Sequence, residues 1–451
     1  MISVIVPAKD AANTLGDCLK ALLSQEGMQY DRDYEVIVVD DGSTDNTAHL
    51  AEEYKVRVIR QSNAGPASAR NAGARIARGV LLAFTEGQVK RVSAVVGNEP
   101  SSWHEAGEGA EVAIIGHGLF LESLEALKLL REGQGWSVVL VDIEDLYDEF
   151  SFGTKTPQAI RDFLIRAKQS WRKVPRFVLL VGDASFDPRN YLGLGGFDFV
   201  PTKLVDTYIM ETASDDWFVD FNGDGLPEIA VGRVAVQTAE EARAVVSKIV
   251  AYEQGLGGHL REVLLVADLQ DGFFDFEAAS EEVRALIPGS MTVQEVYRGD
   301  FDDDVEVHAR LLELMNQGPL LVNYLGHGSI EVWRGGLLDT EDAEVLTNGF
   351  RLPFFIMMTC LNGYFQAPNA DSLAESLLKA GQGGAVAAWA SSGLTEPDEQ
   401  SLLNQAIIRL LFNGESLTLG EAVMRAKAAV PDGDVRRTWV LFGDPATKLN
   451  Y

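Results

Sequence analysis

Short runs of apolar, β-branched residues alternate with stretches of helical periodicity along most of the chain. The first series contains SVIVPA, YEVIVVDD, VRVIRQ and VLLAFTE; the second contains EVAIIGHG, WSVVLVDIE, RFVLLVGD and EIAVGRVAV. The third contains EVLLVAD, TVQEVYR, PLLVNYLGHG, PFFIMMTC and GAVAAWA. Strands that alternate with helices form parallel α/β sheets, and such sheets carry their sites at the carboxyl ends of the strands. After the first series, the repetition predicts either two side-by-side parallel sheets or two lobes of one domain.

The cysteine count excludes a fold that depends on crosslinks. A chain of 451 residues is long enough for roughly three domains, and its only cysteines are Cys18 and Cys360. No apolar stretch approaches the roughly 20 residues that cross a bilayer. The opening residues, MISVIVPAKD, have the pattern of a strand and not of an export signal. We therefore expect no membrane span, while the sequence leaves the localisation and the oligomeric state open.

Acidic charge is spread unevenly along the chain. The formal net charge is −29; residues 1–90 carry 10 basic and 12 acidic residues, which leaves −27 for the rest. This asymmetry predicts a domain boundary near residue 90. Nucleic acids and anionic membranes bind basic surfaces, so the sequence predicts that neither is a partner.

The first series resembles the front half of a family 2 glycosyltransferase of the GT-A, Rossmann-like fold. The matching stretches are VIVPAKDAANTL, EVIVVDDGSTDNT, NAGPASARNAG and GVLLAF. The resemblance implies a nucleotide-sugar site with Asp41 near the base and Arg70 in the donor site. However, the Asp-x-Asp metal ligand of the family is replaced by Glu86-Gly87-Gln88, and the acceptor half is missing. We expect residues 1–90 to form a partial, vestigial module without transferase activity.

The tripeptide Gly-His-Gly occurs twice, but only one copy is followed by a thiol. His117 ends the first strand of the second series, whereas His327 ends a strand whose successor, PFFIMMTC, ends at Cys360. Adjacent parallel strands would place imidazole and thiol side by side, and an activated thiol is a nucleophile. The alternative is that Cys360 is a small core residue and His327 an ordinary imidazole at a strand end.

Residues from about 110 to the C-terminus resemble the gingipain-type cysteine peptidases, family C25 of the caspase-like clan. The matching stretches include NYLGHGS, MTCLNGYF, PRFVLLVGDASFDP, SDDWFVDFNGDGLPEIAVGRV and VLFGDPATKLNY. The resemblance implies a caspase-like, two-lobed α/β peptidase domain with lobes at 91–258 and 259–451. It also implies that His327 and Cys360 are a catalytic pair acting on protein or peptide substrates, with the N–H groups of Gly328 and Cys360 as oxyanion donors. The alternatives are a nucleotide-sugar-binding glycosyltransferase-like protein and a catalytically inactive homologue that serves as a binding module.

Three aspartates are candidates for supporting roles. Resemblance to the gingipains implies an acidic residue in the S1 pocket near Asp215 and Asp216, which would select Arg or Lys before the cleaved bond. The alternative is that this pair only caps a turn. Asp206, in the stretch VDTY, is a candidate for the group that orients His327.

An acidic loop follows the aspartate pair. Asp220, Asn222 and Asp224 are spaced by two, as in the start of an EF-hand loop, but position twelve is Val231 and not Glu. This spacing predicts either a looser structural calcium site, completed by Glu228, or an acidic turn without a ligand. The peptidase chemistry itself requires no cofactor.

Overall fold

The computed structural model describes residues 2–450, apart from residues 26, 64, 84–100, 106 and 259. The chain divides into two compact units, residues 1–99 and residues 100–451. The expected boundary near residue 90, Glu86 and Gln88 all lie outside the described residues.

The first unit is built around a parallel sheet. Its strands are β1 (Ile2–Ala8), β2 (Tyr34–Asp41), β3 (Arg57–Gln61) and β4 (Val80–Ala83), and its helices are α1 (Leu15–Leu23), α2 (Thr47–Glu53) and α3 (Pro66–Ile76). The strand order is β3-β2-β1-β4, with every pair parallel. All of β2 is buried, and its side chains alternate between two apolar clusters, so the sheet is covered on both faces. The predicted N-terminal parallel sheet is confirmed.

The second unit contains the remaining strands and helices of the described chain. Its strands are β5 (Val112–Gly116), β6 (Val138–Asp142), β7 (Phe177–Val181), β8 (Lys203–Asp206), β9 (Glu211–Ser214), β10 (Ala230–Val234), β11 (Glu262–Ala267), β12 (Thr292–Tyr297), β13 (Leu321–Leu325), β14 (Phe354–Met358), β15 (Ala387–Ser391) and β16 (Trp439–Phe442). Its helices are α4 (Leu121–Gly133), α5 (Ile143–Ser151), α6 (Pro157–Ser170), α7 (Ala239–Glu253), α8 (Phe276–Arg284), α9 (Asp304–Gln317), α10 (Thr340–Val345), α11 (Leu373–Lys379), α12 (Pro397–Phe412), α13 (Leu419–Lys427) and α14 (Gly433–Thr438). None of these helices, nor any other in the described ranges, is long and apolar enough to cross a membrane.

Ten of these strands form one sheet, in the order β12-β11-β13-β14-β15-β16-β10-β7-β5-β6. The second and third series of the sequence therefore meet in a single sheet and not in two separate ones. The strand that joins them is β16, from the end of the chain, which pairs antiparallel with β15 and parallel with β10. Strands β8 and β9 form a separate antiparallel pair. The predicted α/β architecture is confirmed.

Helix and strand boundaries follow local chemistry. Helix α9 begins where the Asp303 carboxylate accepts hydrogen bonds from the N–H groups of Val305 and Glu306, and it ends at Gly318, whose φ is +75°. A Cβ on Gly318 would lie 2.3 Å from Cβ of Arg351, so a side chain has no room there. The chain then enters β13, in which every residue is buried.

A buried ion pair links β10 to the segment that follows β9. Arg233 is fully buried on β10; its Nε and Nη2 donate to the two carboxylate oxygens of Asp215 at 2.6 and 2.9 Å. Its Nη1 donates to the carbonyls of Gly182 and Val200, and its guanidinium lies 4.8 Å from the ring centre of Phe365. The carboxylate and the guanidinium therefore compensate each other inside the protein.

We expect Asp215→Asn to lower the free energy of unfolding of the second unit by about 3–5 kcal/mol, because the buried guanidinium would lose its counter-charge. The measurement is urea denaturation followed by tryptophan fluorescence, which reports on this unit since all 7 tryptophans lie in it. Glu313→Gln, which breaks an exposed ion pair with Arg310, is the control and should change stability by no more than about 0.5 kcal/mol. Equal effects of the two variants would contradict the assignment.

Candidate functional site

The carboxyl ends of β13 and β14 carry the two residues that the sequence singled out. The strands are parallel neighbours, and their last residues, Leu325 and Met358, are paired. His327 and Cys360 each lie two residues beyond this pair, so both follow the same edge of the sheet. The predicted adjacency of the two strands is confirmed.

The turns that carry these residues are in direct contact. The N–H of Gly326 donates to the carbonyl of Met358 at 3.2 Å, and the Asn362 side chain donates to the carbonyl of Ser329 at 2.5 Å. A Cβ on Gly328 would lie 2.6 Å from the hydroxyl oxygen of Thr359, which immediately precedes Cys360. The second glycine of Gly-His-Gly is therefore required by the close approach of the two turns.

The imidazole of His327 is oriented by an aspartate that the sequence analysis missed. Its Nε2 lies 2.8 Å from Oδ2 of Asp271, and its ring packs edge-on against Phe276 with centres 5.1 Å apart. The hydrogen bond to His327, together with N–H donors from Phe273 and Phe274, lowers the pKa of Asp271 to about 2. An ionised carboxylate can only accept, so we assign the Nε2 proton to this bond, which leaves Nδ1 as the basic nitrogen.

Asp206 does not occupy the place that we expected for it. It is exposed at the end of β8, and its carbonyl accepts a hydrogen bond from Arg437. The orienting carboxylate is that of Asp271, four residues beyond β11, which pairs with β13. The stretch EVLLVADLQD has the pattern of a strand followed by aspartates, but only the strand order places its end beside His327.

Cys360 lies half-buried in a sharp turn. Its Sγ lies 3.5 Å from both the N–H nitrogen and the carbonyl oxygen of Thr395, and burial raises the pKa of the thiol. The next residue, Leu361, has φ of +62°, a left-handed conformation that is rare for a residue with a side chain. Such strain is found at sites where the surrounding structure fixes the direction of a side chain.

The backbone beside His327 leaves an N–H available. Gly328 forms an isolated antiparallel bridge with Trp333. The two hydrogen bonds of this bridge run from the N–H of Ser329 to the carbonyl of Val332 and from the N–H of Arg334 to the carbonyl of His327, both 2.9 Å. The flanking residues make both bonds, so the bridge does not use the N–H of Gly328. Among the described residues, the N–H of Cys360 also has no acceptor.

The two aspartates expected in the S1 pocket are both occupied inside the protein. Asp215 pairs with Arg233 as described above and accepts a hydrogen bond from Thr202. Asp216 is buried against the ammonium of Lys427, and burial raises its pKa to about 6. Because each carboxylate already has a cationic partner inside the protein, this geometry does not favour the S1 role that we expected for them.

Residues of the acidic loop form hydrogen bonds with one another. The Asp220 carboxylate accepts from the N–H groups of Gly223, Asp224 and Gly225, while the Asn222 amide contacts Asp224. Glu228, the expected fourth ligand, forms an ion pair with Lys168 instead. Within the described ranges, no group of three or more His, Cys, Asp or Glu residues could hold a metal ion. Calcium binding by this loop, with Glu228 among the ligands, stays a prediction.

Three further residues that the sequence analysis discussed lie elsewhere in the two units. The Nδ1 of His117 accepts the N–H of Leu119 at 3.3 Å, and its ring packs on Phe199. In the first unit, the buried Asp41 carboxylate accepts from the Gln61 amide at 2.7 Å and from the N–H of Gly65 at 2.8 Å. Arg70 lies half-buried on α3.

The two units match two different family models. The model for peptidase family C25 matches residues 105–450, and the model for glycosyl transferase family 2 matches residues 3–86. The second match lies within the segment in which the sequence showed a glycosyltransferase resemblance.

Similar proteins follow the same division. Gingipain R2 of Porphyromonas gingivalis (strain ATCC BAA-308 / W83) is 25% identical over 314 residues, which are 64% of this chain and 40% of that protein. The chain therefore spans well under half the length of this relative. The uncharacterized glycosyltransferase EpsJ of Bacillus subtilis (strain 168) is 33% identical over 128 residues, which are 27% of this chain and 35% of EpsJ. The crystal structure of the Arg specific cysteine proteinase gingipain R has a TM-score of 0.63 at 22% identity, covering 78% of this chain and 80% of that one, so the fold is shared.

We expect Asp271→Asn to lower kcat for peptide cleavage by roughly 10²- to 10⁴-fold, because the amide can hold the imidazole in the wrong tautomer. In the wild-type protein the pKa of the Asp271 carboxyl is lowered to about 2. The ionised carboxylate is therefore fully present above the pKa of the unfolded state, near 3.9, and is lost only as the pH falls toward 2. The measurement is the pH profile of kcat/KM, in which Asp271 should contribute no step above pH 5. Asp302→Asn removes an exposed carboxylate after β12 and is the control. A wild-type rate in Asp271→Asn would contradict the assignment.

Proposed function

The chain belongs to peptidase family C25, matched over residues 105–450, and on this premise we propose that it is a cysteine endopeptidase with Cys360 as nucleophile and His327 as proton-transfer partner. The observation that carries the proposal is the pairing of Leu325 with Met358, which sets the two side chains at equal distances beyond neighbouring strands. Cys18 lies in the first unit and is exposed, so Cys360 is the only thiol of the peptidase unit.

The protonation states favour a base-assisted attack. Burial raises the pKa of the Cys360 thiol, so the resting side chain carries its proton. His327 Nδ1, basic because Nε2 donates to Asp271, accepts that proton as Sγ attacks the substrate carbonyl. The imidazolium then protonates the leaving amine, and water hydrolyses the acyl-enzyme, with His327 again as the base.

The tetrahedral intermediate places a negative charge on the former carbonyl oxygen. We assign its donors to the N–H groups of Gly328 and Cys360, which have no other acceptor in the described part of the chain. A single donor of this kind contributes about 3–4 kcal/mol to the transition state. Because the donors are backbone groups held by packed turns, they need no reorganisation during the reaction.

We propose that the peptidase cleaves after Arg or Lys. A solved structure of similar fold is described as an Arg specific cysteine proteinase, and the negative charge of the chain attracts basic peptides. Asp215 and Asp216 do not supply this preference, because their carboxylates are paired with Arg233 and Lys427. Asp215→Asn should therefore leave the preference unchanged.

We expect Cys360→Ala and His327→Ala each to remove nearly all cleavage of a peptide library, and the double variant to be little worse than either single one. His117→Ala is the matched control, since it changes the other Gly-His-Gly and should leave turnover intact. The library products of the wild-type chain should end in Arg or Lys. Cleavage by Cys360→Ala would exclude Cys360 as the nucleophile, whereas a wild-type chain that cleaves no library peptide would favour an inactive binding module.

The first unit is proposed to add no transferase chemistry. Its match to glycosyl transferase family 2 ends at residue 86, and the sequence there lacks the paired aspartates that hold a divalent cation. The Asp41 carboxylate is already bonded to Gln61 and Gly65. We expect no turnover of common nucleotide-sugars in the presence of Mg²⁺ or Mn²⁺, measured by release of nucleoside diphosphate. Release that Asp41→Ala abolishes would overturn this.

A further inference from the structure

The main chain of His327 is held on both sides by groups that do not touch its ring. Its N–H lies 3.3 Å from Oδ2 of Asp268. Its carbonyl accepts from the Tyr324 hydroxyl at 2.7 Å and from the N–H of Arg334 at 2.9 Å. These contacts fix the backbone from which both the imidazole and the N–H of Gly328 project.

Asp268 connects this backbone to the neighbouring strand. It immediately follows β11, is fully buried, and donates its N–H to the carbonyl of Leu325 at 2.9 Å. Its Oδ1 accepts from the N–H of Leu269 and from Nη1 of Arg298, both at 2.8 Å. A buried carboxylate that accepts hydrogen bonds from this many donors is fixed in place.

Arg298 is held in place by a second carboxylate. Its Nε and Nη2 donate to the two carboxylate oxygens of Asp304 at 2.6 and 2.7 Å, a bidentate pair at the start of α9. The guanidinium also lies under the turn that follows His327, since a Cβ on Gly335 would be 2.6 Å from Nη2. The side chain of Arg298 is only 12% exposed, so solvent contributes little to its position.

The turn that carries His327 is tightly packed. A Cβ on Gly326 would lie 2.4 Å from the Tyr324 hydroxyl and 2.6 Å from Cβ of Asp268. The Tyr324 ring is stacked on Trp333 with centres 4.0 Å apart, and both residues are fully buried. The His327 turn therefore contacts Asp268 directly, and a change at Asp268 would move the turn.

We propose that Asp268, Arg298 and Asp304 are positioning residues of the peptidase, which hold the His327 backbone so that imidazole and oxyanion N–H face the same carbonyl. This inference rests on the proposed function. Asp271 holds the ring, whereas the Asp268 network holds the chain that carries the ring. Asp271 and the Asp268 network both act through His327, but only the Asp268 network also fixes the backbone position of Gly328.

The test is steady-state cleavage of one peptide by the full chain and by Asp268→Asn. Asparagine has the size of aspartate but replaces one acceptor oxygen with an amide that must face either Arg298 or the N–H of His327. We expect kcat to fall roughly 10- to 100-fold with KM nearly unchanged, since a displacement of about 1 Å suffices for such a loss. Arg298→Lys and Asp304→Asn, which loosen the clamp without touching Asp268, should give smaller losses of the same kind.

Asp444→Asn is the matched control. It breaks another buried ion pair, between Asp444 and Arg131, and should lower the melting temperature while leaving kcat unchanged. The double variant Asp268→Asn/Asp271→Asn should lose less than the product of the single losses, because both changes act on His327. Multiplicative losses, or a wild-type kcat in Asp268→Asn and Arg298→Lys below their melting temperatures, would overturn the inference. Cys360→Ala in the same assay separates this outcome from failure of the proposed function itself.

Discussion

The pairing of β13 with β14 is the constraint on which the candidate site depends. In a parallel pair, a shift of one residue would turn each side chain to the opposite face of the sheet. Both strands are buried over their whole length, so their side chains fix the register on both faces. With Leu325 opposite Met358, the turns that carry His327 and Cys360 must meet, and the glycines around His327 allow them to touch.

Buried ion pairs join different parts of the second unit. Arg233 with Asp215, Arg131 with Asp444, and Arg298 with Asp268 each join segments that belong to different elements. Removing charges from water is costly, so each carboxylate is compensated by a guanidinium in a defined geometry. The same requirement explains why an aspartate close to a peptidase motif can be structural, since Asp215 neutralises a buried cation.

The surroundings of Cys360 and Asp271 set opposite protonation states for the thiol and the carboxyl. Burial keeps the Cys360 thiol protonated at rest, whereas hydrogen bonds keep the Asp271 carboxylate ionised far below neutral pH. His327 lies on the strand between them in the sheet and has one ring nitrogen committed to Asp271. The strained φ of Leu361 indicates that the turn after Cys360 is fixed by its surroundings, which suits the nucleophile role proposed for Cys360.

The sequence alone determined the α/β class and the two consecutive strands that lead to His327 and Cys360, because hydrophobic periodicity marks strands and consecutive strands in such folds are often neighbours. It could not identify Asp271 or Asp268, since both follow β11, and nothing in the local pattern states that β11 pairs with β13. It left Asp215 and Asp216 open between substrate binding and the capping of a turn, because only the folded chain brings their partners Arg233 and Lys427 to them. Strand order and charge pairing arise from contacts between residues far apart in sequence, so only the tertiary structure decides them.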